Sequence, residues 1–309
     1  MSQQLFVLFT MDVEPSTADV GHSGPVSDEA GMDSIRDFEA VLHAAGHRAT
    51  YFVHPELVDA YPAFYHNLEQ DGSGLGLHLH TTKFAASKQA CELGGLGPAE
   101  QRRLLELAVA LYERGMGKRP DIFRPGCFSA NDATYGVLCD LGFIGGSISI
   151  PERIWLERFC VWSGAYPYAH FAHEAFRQCS GALPFVEIPL SVDLTTPLRY
   201  NPVGFHHHPD LRPGGVYSET DEVAYDRRQL LHSILQRTAA DDPPIKTLVV
   251  DVHNDRDFTS GDSQAAKDLS AVLDGIEPEC RALGWEVVPA TYNEVIRHYS
   301  AVHGTVAEL

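Results

Sequence analysis

Two acidic residues, two positions apart, close the first apolar run of the chain, Thr10-Met11-Asp12-Val13-Glu14. Side chains at this spacing point to one side of an extended strand. Asp12 and Glu14 can therefore share a pocket, or sit together as an acidic surface pair. A second pair follows in Leu77-His78-Leu79-His80. Two imidazoles so placed can converge on one ion, and two histidines plus a carboxylate with an open position is a catalytic zinc arrangement. With 16 His in 309 residues an HxH also arises by chance, so its weight comes from where it stands. Phe123-Arg124-Pro125-Gly126 fixes a guanidinium at a turn, suited to restraining a carboxylate or to a structural ion pair. Asp251-Val252-His253 ends another apolar run. There His253 can act as a general acid near neutral pH, or be a partly buried structural histidine.

Other candidates carry less. Cys127 has no histidine partner in a known nucleophile pattern, so a backbone role is expected for it. His54 and His22 can line the same mouth, as structural or substrate-facing groups. His206-His207-His208 lies in a Pro/Gly-rich stretch and is expected on a loop surface, since consecutive residues do not easily face one ion. Among the aromatic residues of the middle of the chain, Trp155, Trp162, Tyr166, Tyr168 and Phe171 can stack on sugar faces or simply pack.

The elements that must position these residues alternate between short β-rich runs and amphipathic helices. Strands are predicted at Leu5–Thr10, Ala49–Val53, Gly74–Leu79, Ile122–Phe123, Phe143–Ile150, Val186–Leu190, Thr247–Val252 and Trp285–Pro289. Helices are predicted at Asp28–Ala45, Pro55–Leu68, Pro98–Arg114, Asp132–Leu141, Glu222–Ala239, Gln264–Leu283 and Tyr292–Tyr299. Residues 151–184 and 196–220 break the rhythm and read as loop insertions. Repeated βα units without a composition break imply a single α/β domain over residues 1–309. No Gly-rich phosphate turn follows the first strand, which favours a (β/α) barrel over a doubly wound sheet. Barrel chemistry sits at the C-terminal ends of strands, and four such ends here deliver a candidate group.

Composition narrows the partners. Net charge is −19, from 42 acidic and 23 basic residues, and no cluster of Lys and Arg stands out. Nucleic acid and anionic membrane surfaces are poor partners for such a chain, and a large anionic substrate is not expected. The six cysteines form no CxxC pair, so neither a zinc knuckle nor a thioredoxin-like motif is supported. The absence of a leader-like apolar segment and of a membrane-length run makes a cytoplasmic location the expectation.

In chain order these motifs resemble the polysaccharide deacetylase family, the NodB-homology domain of carbohydrate esterase family four. The resemblance covers roughly residues 5 to 290. The family's TFDDG-like strand end reads here as TMDVE, and its ATFFV-like strand as Ala49-Thr50-Tyr51-Phe52-Val53. Gly76–His80 stands for the His metal motif, Arg124-Pro125-Gly126 for the Arg turn, Glu187-Ile188-Pro189 for a further strand, and Leu248–His253 for the strand that ends in His. The resemblance implies an incomplete or distorted (β/α) barrel of about seven parallel strands that hydrolyses the N-acetyl amide of amino sugars with a divalent metal, zinc being expected. It makes Asp12 the general base restrained by Arg124, Glu14, His78 and His80 the metal ligands, His253 the acid, and the Cys127 N–H the oxyanion donor, with His54 facing substrate. The substrate so implied is a small-molecule, lipid-linked or nucleotide-linked sugar. Two departures bear on these roles. Val13 replaces the family's second Asp, which leaves base and ligand open between Asp12 and Glu14. The histidines are two apart instead of four, with Thr82 at the usual second position. Two readings stand beside this one: hydrolysis of another non-peptide amide C–N bond, of deformylase or cyclic-imide type, and a non-catalytic carbohydrate-binding barrel.

Overall fold

The computed structural model describes residues 3–16, 24–201, 205–215 and 225–304. The strands are β1 (Gln3–Val13), β2 (Ala49–Val53), β3 (Gly74–Leu79), β4 (Ile122–Pro125), β5 (Gly145–Gly146), β6 (Ile154–Trp155), β7 (Cys160–Val161), β8 (His170–Phe171), β9 (Val186–Glu187), β10 (Arg199–Asn201), β11 (Phe205–His207), β12 (Lys246–His253) and β13 (Trp285–Pro289). The helices are α1 (Asp28–Ala44), α2 (Pro55–Ala60), α3 (Pro62–Gln70), α4 (Pro98–Met116), α5 (Thr134–Asp140), α6 (Arg227–Asp241), α7 (Gln264–Leu283) and α8 (Tyr292–His303).

β1 organises the molecule because it is apolar on both faces. Leu5, Val7, Leu8, Phe9, Met11 and Val13 are all fully buried, as expected of a parallel strand covered on two sides. β12 pairs along one edge of β1, while β13 and β2 share the other, β13 along Gln3–Val7 and β2 along Phe9–Val13. The sheet runs β12-β1-β2-β3-β4-β5-β9-β8, parallel throughout except for the β8–β9 pair. β12 and β8 form its two ends and are not paired, so the (β/α) barrel is incomplete, as expected. Ser191, just beyond β9, accepts a hydrogen bond from the Val249 N–H of β12 across this gap, at 2.9 Å. No helix among the described residues is long and apolar enough to cross a membrane.

Several elements differ from expectation. The helix predicted over Pro55–Leu68 is two helices, because the residue before a proline is driven out of helical backbone and Tyr61, before Pro62, has φ −128° and ψ 50°. The strand predicted over Phe143–Ile150 shrinks to Gly145–Gly146. A Cβ on Gly146 would lie 2.0 Å from the Phe123 carbonyl oxygen, so only glycine admits this approach to β4. Past Gly146 the ladder stops: the N–H groups of Ile148 and Ser149 donate instead to the Glu187 carboxylate. Val186–Leu190 likewise shortens to Val186–Glu187. The first insertion folds as the β6–β7 hairpin followed by β8, and β10, β11 and β6 join in a small second sheet. His207 in β11 is buried, which corrects its assignment to a loop surface. The predicted start of α6 and parts of residues 196–220 lie outside the described residues, as does His22.

Candidate active site

Register brings the candidates together before any side chain is considered. In the β1–β12 pairing Thr10 stands beside Asp251 and Asp12 beside His253. Phe52 of β2 flanks Asp12, and His78 of β3 stands beside Arg124 of β4. Seven residues from five neighbouring strands, β12, β1, β2, β3 and β4, are therefore gathered at one end of the sheet. Asn254 pins the end of β1: its side chain accepts from the Glu14 N–H at 3.0 Å and donates to the Glu14 carbonyl at 3.1 Å.

Arg124 is fully buried and ties the base of the site together. Its Nη1 donates to Asp12 Oδ1 at 2.8 Å, to Asp251 Oδ1 at 2.6 Å and to Thr10 Oγ1 at 3.0 Å. The guanidinium lies over the Phe52 ring, 4.2 Å from its centre. Burial works against its charge, but Asp12 and Asp251 outweigh that and hold Arg124 protonated. Burial and the neighbouring Asp12 push the Asp251 carboxyl up, opposed by Arg124 and Arg212.

Glu14, His78 and His80 present one potential ligand atom each, all within 4.8 Å of one another, and all three side chains are buried. The other ring nitrogen of each imidazole is occupied. His78 Nδ1 lies 3.0 Å from the Arg124 carbonyl oxygen, so it carries the proton and donates. His80 Nδ1 lies 3.0 Å from Glu92 Oε1. Both Nε2 atoms turn toward Glu14, at 4.0 Å from His78 and 3.1 Å from His80. His78 Nε2 is buried and makes no hydrogen bond. A histidine fixed through Nδ1 by a carbonyl or carboxylate, with Nε2 left as a lone pair, is the usual arrangement at a metal. The donor set thus fits a divalent cation.

Charge at this corner in the metal-free chain follows the same contacts. Burial pulls the His78 pKa well below its ordinary value, assisted by His80, so His78 is neutral. Burial also opposes a charge on His80, but Glu14 and Glu92 on either side raise it well above the usual range. Burial raises Glu14, yet His80, then Lys83 and His253, bring it well below an ordinary carboxylate. Glu92 is lowered to about 2, with burial opposed by His80 and by the Thr82 hydroxyl. The buried Lys83 ammonium also contacts Glu14 Oε2 directly.

The turn after β4 is held tightly. Cys127 and Phe128 both have φ of 54°, left-handed backbone that costs a non-glycine residue roughly 1–3 kcal/mol. A Cβ on Gly126 would lie 2.3 Å from His80 Nδ1, so the turn lies directly on the imidazole. Trp162 Nε1 donates to the Phe128 carbonyl at 2.7 Å and locks the far side. Trp162 is therefore a packing residue, and of the five aromatic candidates it is Trp155 that reaches the site.

The described residues enclose a cavity of about 80 Å³ here. Asp12, Glu14, His80, His253 and Cys127 line it from the strand ends. His253, about a fifth exposed, has Nε2 3.8 Å from Glu14 Oε1. His54 is brought near but does not line this cavity: its ring is fully buried against Phe84, and burial, then His78 and His80, lower its pKa to about 3. Cys127, which stands in no nucleophile pattern in the sequence, lies close to His80 and Glu92, their side-chain donor atoms being within 4.8 Å of one another.

The remainder of the lining includes Arg153, Trp155, Arg212 and Arg256. No basic patch is visible in the linear sequence, yet three guanidiniums from three separate segments meet at this cavity. Glu92, Lys83 and Asn254 were also missed. Glu92 and Lys83 stand in irregular chain with no periodic signal. Asp251, by contrast, lies two residues before His253 on an apolar strand, and strand alternation places it on the same side.

No family model matches the sequence, and no curated protein is similar to it by sequence. Its structure is similar to that of a protein assigned as a polysaccharide deacetylase from Mycobacterium smegmatis, with 15% identity and a TM-score of 0.61 over 98% of this chain and 92% of the other. It is similar to an allantoinase, with 12% identity and a TM-score of 0.57 over 97% of this chain and 91% of the other. A protein assigned as a polysaccharide deacetylase from Pseudomonas aeruginosa PAO1 matches at 11% identity and a TM-score of 0.56, over 97% and 92%. At such identities the likeness is one of fold, and the fold of this chain is that of the polysaccharide deacetylases.

Proposed function

We propose that residues 1–309 form one catalytic domain, a metal-dependent hydrolase that removes an N-acyl group, acetyl foremost, from an amino sugar or sugar conjugate. The observation that carries this reading is the pair of imidazoles held through Nδ1 by the Arg124 carbonyl and by Glu92, with both Nε2 atoms turned toward Glu14. A divalent ion, zinc by the chemistry of the donors, would be held by Glu14, His78 and His80 and would supply Lewis acidity toward the acyl carbonyl and water.

The chain's own groups complete the reaction. Asp12, on the cavity and restrained by Arg124, takes the proton of the attacking water. His253 gives a proton to the departing amine nitrogen, so the C–N bond breaks as a neutral amine leaves. The Cys127 N–H, fixed in its turn, donates to the oxygen of the tetrahedral intermediate. Assigning Glu14 as ligand and Asp12 as base follows the contacts: Glu14 faces both imidazole Nε2 atoms, whereas Asp12 is bound to Arg124.

The likeness to an allantoinase favours a second reading, hydrolysis of another non-peptide amide C–N bond. Assay of the purified chain, stripped with chelator and reloaded with zinc or cobalt, separates the readings. Acetate release from N-acetylated amino sugars that depends on metal supports the first; metal-dependent opening of cyclic imides without it supports the second. Asp12→Asn is expected to lower kcat by about 100-fold or more while metal content is unchanged. Loss of metal in that variant would exchange the roles of Asp12 and Glu14.

A further inference from the structure

Three arginines on the cavity have no part in the chemistry just described. Arg153 comes from the first insertion, Arg212 from the loop after β11, and Arg256 from the turn after β12. Arg153 is 2% exposed and Arg212 4%. Burying two guanidiniums beside a third is unfavourable unless carboxylates or a ligand match them. Asp210 Oδ2 forms ion pairs with Arg153 at 3.9 Å and with Arg212 at 3.8 Å, the latter beyond hydrogen-bond length. Asp251 is closer to Arg212, at 3.2 Å, but already serves Arg124. The Nε of Arg212 is buried and makes no hydrogen bond. Arg256 pairs with its neighbour Asp255 at 3.1 Å and keeps about a quarter of its side chain exposed.

Of the three acidic members of the lining, Asp12 is matched by Arg124 and Glu14 by Lys83, while Asp255 pairs with Arg256 through Nε alone. A chain of net charge −19 thus places three guanidiniums at this cavity. Guanidinium groups bind carboxylates and phosphates through paired N–H donors.

We infer that the substrate carries an anionic group, a carboxylate or a phosphate, close to its acyl amide, held by Arg153, Arg212 and Arg256. This rests on the hydrolase reading and deepens it. A cavity of about 80 Å³ is a few water volumes, so the anion and the acyl group belong to one compact part of the substrate. Neutral N-acetylated sugars are then the poorer ligands.

Calorimetric titration of the metal-loaded chain tests this. N-acetylglucosamine is compared with its 1-phosphate and with N-acetylmuramic acid, which carries a carboxylate; both place the anion on a carbon next to the one that bears the amide, and the two anionic arms distinguish the groups. At least one anionic ligand is expected to bind about 10-fold or more tightly than the neutral sugar. Arg256→Gln, at a partly exposed position, is expected to close most of that gap, and Arg212→Lys to narrow it. Equal binding of all three, or a gap that survives Arg256→Gln, overturns the inference. Inorganic phosphate and N-acetylglycine serve as sugar-free probes against the chain with and without metal. Their binding without metal, weakened in Arg256→Gln, upholds the anion site even if no sugar binds and the hydrolase reading fails. No anion binding to the metal-free chain by any probe overturns it.

Discussion

The cavity has two kinds of lining, and they are built by different means. Asp12, Glu14, His80 and His253 stand at strand ends, where parallel pairing fixes who neighbours whom. Arg153, Trp155, Arg212 and Arg256 come from a hairpin and two loops outside the main ladder. The first set is suited to a reaction and the second to choosing what undergoes it. This division is general for barrels, in which strand ends supply chemistry and loops supply variation.

The strongest way to break that comparison is to remove His78, the buried neighbour of Glu14 and His80 in the first set, and then a member of the second, and to read metal content and affinity separately. His78→Ala is expected to lower divalent metal affinity by about 100-fold or more, because the ring offers a buried, neutral Nε2. Trp155→Ala is expected to leave metal stoichiometry at one while raising KM. If the Trp155 variant loses metal, the two linings are not separable. Inductively coupled plasma analysis of metal per chain decides it.

Glu92 sharpens the boundary from the other side. It lies on an irregular segment yet serves the strand-end set, by holding His80 Nδ1 and accepting from the Thr81 N–H and the Thr82 hydroxyl. Glu92→Gln is expected to weaken metal binding by roughly 10- to 100-fold while His80 stays in place. A competition titration with a chromophoric chelator reads this directly, and unchanged affinity would reduce Glu92 to packing.

Lys83 should act in the opposite direction and more weakly. Its ammonium contacts the same Glu14 carboxylate that the proposed ion would use. Lys83→Met is expected to raise metal affinity several-fold and to lower the melting temperature of the metal-free chain, since buried Glu14 loses one of its cationic partners and keeps only the imidazoles. Weaker metal binding in this variant would mean that Lys83 positions Glu14 instead of competing at it.

How much of this was legible follows the same division. Asp12, Glu14, His78, His80, Arg124 and His253 were readable because a two-residue period on an apolar strand fixes the facing of each side chain. β2, β3, α7 and β13 were readable as whole elements for the same reason, since their apolar periods run unbroken between clear stops. Arg153 and Arg212 were not, because they lie in stretches without a period, and their meeting depends on how a hairpin and a loop fold back over the barrel. Glu92 is the harder case: one of 42 acidic residues, in chain without regular structure, made important by a single imidazole nitrogen. The shortened strand at Gly145–Gly146 was hidden differently. Phe143–Ile150 has strand composition, but the backbone donors of Ile148 and Ser149 find a carboxylate 39 and 38 residues further along the chain, one supplied by β9.

That carboxylate, Glu187, joins the two linings and gives the smallest expected effect. It is fully buried, and it accepts from the N–H groups of Ile148 and Ser149 and from the Ser149 hydroxyl, at the start of the segment that leads to Arg153. Burial pushes its pKa from 4.5 up to about 7, against the lowering effect of those donors. Between these two values the folded chain holds a proton that the unfolded chain has released, so stability falls as pH rises. The contribution is complete below about 4.5 and is lost as pH climbs through about 7. Glu187→Gln has no proton to release, and its amide oxygen still accepts from Ile148 and Ser149. The melting temperature of the wild-type chain is therefore expected to drop by a few degrees more than that of Glu187→Gln between pH 5 and pH 8, roughly the effect of about 1–2 kcal/mol on a chain of this size. Taking the difference between the two proteins cancels the other titrating groups. Parallel curves would mean that Glu187 keeps an ordinary pKa, ionised and satisfied by its donors, and that the insertion is anchored without any cost that grows with pH.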